Sequence, residues 1–84
     1  MAKKIQYRTR GTCSRMIELE IDDEGIITEV SFSGGCSGNT QGVAALVRGM
    51  DAREAAEKLA GIRCGFRDTS CPDQLARAIM SALE

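Results

Sequence analysis

Met16-Ile17-Glu18-Leu19-Glu20-Ile21, then Asp22-Asp23-Glu24-Gly25, then Ile26-Ile27-Thr28-Glu29-Val30-Ser31-Phe32 is the stretch on which the fold turns. Ile17, Leu19 and Ile21 alternate with Glu18 and Glu20, and Ile26, Thr28, Val30 and Phe32 alternate with Ile27, Glu29 and Ser31. Alternation with a period of two sends one set of side chains to a core and the other to water, so both runs predict strands. The polar segment between them ends in Gly25, which can take a positive φ, and predicts a hairpin turn. Upstream, Ile5, Tyr7 and Thr9 alternate with Lys4, Gln6 and Arg8. That is a first strand, joined to the second through Thr9-Arg10-Gly11-Thr12-Cys13.

Downstream of Phe32 the period changes. Ser33 to Asn39 reads as a glycine-rich loop, after which Val43, Ala44, Leu46, Val47 and Met50 recur at helical spacing and Gly49 suits a helix end. Asp51 with Glu54 forms a capping-box-like pair at the start of a second helix, which has a narrow face of Ala52, Ala55, Ala56 and Leu59 and is ended by Gly61. Ile62 to Ser70 reads as irregular or as a short strand. Pro72 fits the first position of a third helix, which would make Cys71 its N-cap; Leu75, Ala76, Ile79, Met80 and Leu83 line one face. The expectation is an α+β domain of order β-β-β-α-α-α, a three-stranded antiparallel sheet with three helices on one face. The Ala-rich second helix is suited to close packing either within the domain or against a second copy as a homodimer.

A chain of 84 residues forms one domain, residues 1–84, and its core is thin, because it holds two Phe, one Tyr and no Trp. Small domains of this kind often carry a disulfide or metal staple. No apolar run follows Lys3 and Lys4, so the start does not read as a signal peptide. No segment approaches the roughly 20 apolar residues that span a bilayer. The cytoplasm is the expected compartment, where thiols stay reduced; secretion would instead imply two disulfides in one of three pairings. The net charge of −1 carries no nucleic-acid or membrane signal. Lys3, Lys4, Arg8, Arg10 and Arg15 precede a run of acids, Glu18, Glu20, Asp22, Asp23, Glu24 and Glu29, a pattern that reads as cross-strand pairing on a solvated sheet face.

The four cysteines, Cys13, Cys36, Cys64 and Cys71, carry the functional signal. Buried free cysteine is common as a small hydrophobe, yet all four lie in Gly/Ser/Thr/Arg-rich segments at the ends of predicted elements, not on apolar faces. Cys36 and Cys71 sit at helix starts, where free N–H groups and partial positive charge suit an anionic sulfur; Cys64 lies beside Arg63 and Arg67. No Cys-x-x-Cys is present and His is absent, which excludes zinc-ribbon and thioredoxin-type motifs and His-dependent acid–base chemistry. The expectation is one shared thiolate site. Zinc and iron–sulfur clusters both accept four thiolates and are not separated by ligand type. Two rival readings stand beside it. One is a thiol/disulfide redox protein using Cys64 and Cys71. The other is a module binding a nucleotide, anion or other small molecule through Gly34, Gly35, Gly38, Asn39 and Thr40, whose backbone N–H groups precede a helix.

Thr69-Ser70-Cys71-Pro72-Asp73 resembles the signature of the TSCPD domain, and the length and four cysteines resemble small stand-alone members of that family. Its longer relatives form a C-terminal domain on some adenosylcobalamin-dependent ribonucleotide reductases. The resemblance implies a metal-binding or redox accessory, with a ribonucleotide reductase or other redox enzyme as partner. It does not imply an enzyme on its own, since 84 residues cannot hold the reductase barrel. A more distant resemblance is to NifU/IscU-type iron–sulfur scaffold proteins, carried by residues 16–36 and by Gly49-Met50-Asp51-Ala52-Arg53-Glu54-Ala55. It implies the same β-β-β-α-α-α order and matches Cys13, Cys36 and Cys71 to the three scaffold ligands. Arg15 stands where scaffolds carry an acidic residue that keeps the cluster labile, and Ser70 where they place His. With Cys64 as a fourth thiolate, the implied site is closed and retains what it binds.

Overall fold

The computed structural model describes residues 2–9, 14–34, 37–63 and 69–83. Its elements are β1 (Lys3–Arg8), β2 (Ser14–Ile21), β3 (Ile27–Gly34), α1 (Ser37–Val47), α2 (Ala52–Leu59) and α3 (Cys71–Leu83). The strands form one antiparallel sheet in the order β1-β2-β3, so the expected α+β order and helix placement hold. Ile17, Leu19 and Ile21 of β2 are buried, and Lys4 stands opposite Glu20 on the solvent face, as the alternation requires. Gly25 adopts φ +82° in the hairpin, where Asp22 Oδ1 accepts from the N–H groups of Glu24 and Ile26 at 2.9 and 3.0 Å. A short polar side chain thus does the work of a backbone turn partner.

Strand β3 departs from strict alternation. Glu20 pairs with Glu29 but Ile21 pairs with Ile27, which leaves Thr28 as an extra residue, exposed, its hydroxyl donating to Glu20 O at 3.2 Å. The bulge turns Ile27 into the core in place of Ile26 and Thr28. Ile27 is also paired from its outer side: its N–H donates to Met50 O at 2.9 Å, and Gly49 N–H donates to Ile27 O at 2.7 Å. The turn between α1 and α2 therefore covers the start of the β3 edge.

Helix α1 begins earlier than its apolar periodicity suggests. Gly38, Asn39 and Thr40 lie within it, and only residues 35 and 36 separate it from β3. Burial of Thr40, Ala44 and Val47 against β3 outweighs the poor helix propensity of the glycines. Leu46, expected inward, is 78% exposed. In α2, Asp51 Oδ2 accepts from Glu54 N–H at 3.0 Å, and Ala52, Ala55 and Ala56 are buried; α2 packs on α3. The small alanine face is thus spent within the domain.

Helix α3 buries Leu75, Ala76, Ala78, Ile79 and Ala82, while Met80 turns outward. Its first hydrogen bond runs from Gln74 N–H to Ser70 O at 2.8 Å. The N-cap is therefore Ser70, not Cys71, and Pro72 takes the second helical position. Near the other end Lys3 Nζ donates to Ala82 O at 3.0 Å across 79 residues of sequence, filling a carbonyl that the helix leaves open. Among the described residues no helix is long and apolar enough to cross a membrane.

Candidate functional site

Three facts orient the molecule. In the β2–β3 register Ser14 faces Gly34. Helix α1 starts three residues after Gly34 and runs back along β3 until Gly49 meets Ile27. Helix α3 has Ala82 beside Lys3, the first residue of β1. Thirteen helical residues span about 18 Å, close to the length of a six-residue strand. The start of α3, with Cys71, therefore points to the end of the sheet where β1 finishes, β2 starts and β3 finishes.

Cys13, Cys36 and Cys64 lie outside the described residues, as does Gly35. Their sequence neighbours do not. Ser14, next to Cys13, is paired with Gly34, two residues before Cys36. Thr9 N–H donates to Arg15 O at 3.1 Å, closing the base of the segment that holds Cys13. Ile62, two residues before Cys64, accepts at its carbonyl from Ser70 Oγ at 2.7 Å, one residue before Cys71. The described neighbours of the four cysteines thus meet in two pairs, Ser14 with Gly34 and Ile62 with Ser70. Cys71 itself is 6% exposed, in the first turn of α3. Among the described residues no group of three or more potential metal ligands occurs.

Of the residues expected to hold a small molecule, Gly34 ends β3 with φ +80°, Gly38 and Asn39 lie in the first turn of α1, and Thr40 is buried. The glycine-rich stretch is accordingly a strand end and a helix start, not one continuous loop.

Around Cys71 the chain builds a cluster that sequence reading missed. Asp73 Oδ1 accepts from Gly61 N–H at 2.7 Å. Its Oδ2 accepts from the Thr69 hydroxyl and meets Arg77 Nε at 3.2 Å. Ser70 Oγ accepts from Asp73 N–H at 3.1 Å, and Gln74 Nε2 donates to Thr69 Oγ1 at 3.0 Å. Thr69, Ser70, Asp73 and Gln74 are four of the six buried polar residues among those described, and among the described residues no buried side-chain nitrogen or oxygen lacks a partner. One half of this was visible in advance: Ser70-Cys71-Pro72-Asp73 is a Ser-x-x-Asp capping pattern. The other half was not, because Asp73 does not reach back to its own N-cap but out to Thr69 and across to the end of α2.

Burial by itself would raise the Asp73 pKa. The hydrogen bonds from Thr69 and Gly61 and the Arg77 charge outweigh it, and the carboxyl is held below its ordinary value. A depressed folded-state pKa contributes stability that is present above the unfolded value and lost as pH falls through the folded one. Asp73→Asn is therefore expected to weaken the fold by about 1–3 kcal/mol at neutral pH. The gap to the parent chain should close below about pH 4. Urea unfolding of both chains at matched metal content, from neutral pH downward, checks this; a gap that stays constant into acid would exclude the carboxylate as its source.

A family model described as TSCPD domain matches residues 2–83. The chain belongs to the TSCPD domain family. The match covers all six elements, so the sheet, the helices and the cysteine-bearing segments between them are all parts of the TSCPD domain. No curated protein and no solved structure matches the chain. In this TSCPD domain, three residues of the eponymous string, Thr69, Ser70 and Asp73, are committed to capping and to holding the end of α2. That leaves Cys71 as the one whose side chain is suited to soft-metal or redox chemistry.

Proposed function

We propose that this TSCPD domain is a small metal- or cluster-binding module in which Cys13, Cys36, Cys64 and Cys71 act together as thiolate ligands, and that it serves as an accessory to a larger enzyme such as a ribonucleotide reductase. The observation that supports the reading is that the described neighbours of the four cysteines are joined pairwise, Ser14 opposite Gly34 and Ser70 bonded to Ile62. The donor set fits either zinc or an iron–sulfur cluster, since it is sulfur only and the chain has no His. Arg15 and Arg63, with Arg10 and Arg67 in the sequence, supply positive charge near a site of up to four negative sulfurs. Zinc there would act as a cross-link between chain segments, whereas a cluster would add one-electron chemistry.

Elemental analysis of anaerobically purified protein decides between the forms. Iron with acid-labile sulfide and visible absorption identifies a cluster; one zinc per chain in colourless protein identifies a structural site. Metal-free protein with a reversible Cys64–Cys71 disulfide would replace this reading with thiol/disulfide redox chemistry. Colour without iron would replace it with an organic ligand, for which Gly34 to Thr40 is the candidate segment.

A further inference from the structure

We infer that Asp73 is the positioning residue of the thiolate site, fixing the turn that carries Cys71 through simultaneous hydrogen bonds to Gly61 and Thr69. The inference rests on the reading of Cys71 as a ligand. Asp73 acts through the backbone: the residues on both sides of Cys71 are held, Ser70 by its bonds to Ile62 O and Asp73 N–H, and Asp73 by Gly61, Thr69 and Arg77. Between them Pro72 fixes its own φ. The end of α2 and the start of α3 are thereby clamped over the one described cysteine.

The energetics argue that this clamp serves geometry more than stability. Taking a carboxylate out of water costs several kcal/mol, and its hydrogen bonds return about that much, so a buried, fully bonded charge comes out near break-even against an apolar replacement. Asp73 is 4% exposed and Gln74 2%, in a domain whose core is otherwise built largely from Ile, Leu, Val and Ala. A thin core gains little by placing polar groups at such positions. What a fully satisfied polar network does supply is a single arrangement. A thiolate site needs that, because metal–sulfur distances tolerate only about 0.2 Å.

The test is zinc(II) affinity of the reduced, metal-free chain, measured by competition with a chromophoric chelator, together with the cobalt(II) d–d spectrum. Asp73→Asn and Thr69→Val are expected to weaken zinc binding about 10–100-fold, the usual effect of losing a residue that orients a ligand, and to alter the cobalt spectrum. Thr69→Ser keeps the hydroxyl and should restore both. Asp51→Ala removes a capping bond of the same kind at the opposite end of the sheet, and so measures what lost stability alone does to zinc binding. If Asp73→Asn fails to fold, the Thr69→Val and Thr69→Ser pair carries the test. The inference is overturned if Asp73→Asn and Thr69→Val weaken zinc no more than Asp51→Ala and leave the cobalt spectrum unchanged. If the parent chain binds neither ion, the thiolate reading itself falls, and the role of Asp73 with it.

Discussion

If the proposed thiolate site holds a metal, Cys71→Ser and Cys36→Ser chains should each purify with metal per chain lowered at least tenfold relative to the parent chain, since removing a ligand costs no less affinity than the roughly 10–100-fold lost with an orienting residue. Serine is close to cysteine in size and leaves in place the hydrogen bonds that Ser70, Asp73 and Gln74 make in the first turn of α3, so that turn should survive the change. What is lost is an easily ionised sulfur, for which a hydroxyl is a poor substitute with zinc or iron. The two positions belong to different parts of the chain: Cys71 opens α3, and Cys36 falls in the sequence between β3 and α1. A shared site fails from either side. Unrelated cysteines would not, and full occupancy in either variant would count against a common site.

The second large effect lies in the core. Ile79→Ala should cost about 2–5 kcal/mol, measured by urea or thermal unfolding. Ile79 is fully buried on α3, in a core where the largest fully enclosed side chains are Ile17, Ile27, Leu75, Ile79 and Gln74. A domain of 84 residues is expected to have only about 4–13 kcal/mol in total. One cavity would therefore remove a large share, and neighbouring alanines such as Ala76, Ala78 and Ala82 have no side-chain length with which to fill it. Leu46→Ala, at an exposed position of α1, should change stability by no more than about 0.5 kcal/mol. Comparable losses at both positions would mean that α1 presents a different face.

Most of the fold was legible because its signals are local. The alternation in β2, the Asp22–Gly25 turn and the Asp51–Glu54 cap each specify their element within a few residues, and the order of elements then leaves little choice of architecture. The failures have a common cause in tertiary contact. Thr28 is extruded as a bulge because Ile27 is gripped from both sides, by β2 and by the Gly49–Met50 turn. Leu46 follows Val43 at helical spacing but is 78% exposed, because Thr40, Ala44 and Val47 carry the buried face of α1. The N-cap of α3 was displaced by one residue because proline at the first helical position is a statistical preference, whereas the Ser70 hydroxyl has a real donor in Asp73 N–H. At the site, cysteines were easy to notice by chemistry. Asp73 was not, since its partner Gly61 lies 12 residues away and nothing local announces it, whereas its i,i+4 pairing with Arg77 is an ordinary helix-surface pattern.

The contact between Lys3 and Ala82 also bears on how the molecule is made. Helix α3, which follows the sheet in chain order, is the one that packs on the first two strands, so a nascent chain in which it has not yet emerged exposes Ile17, Leu19 and Ile21 to water and to other chains. Cys71 arrives with that helix. Any ligand shared between Cys13 and Cys71 can be captured only after the sheet, α1 and α2 have been translated, which couples loading to the docking of α3 and not to synthesis of the sheet.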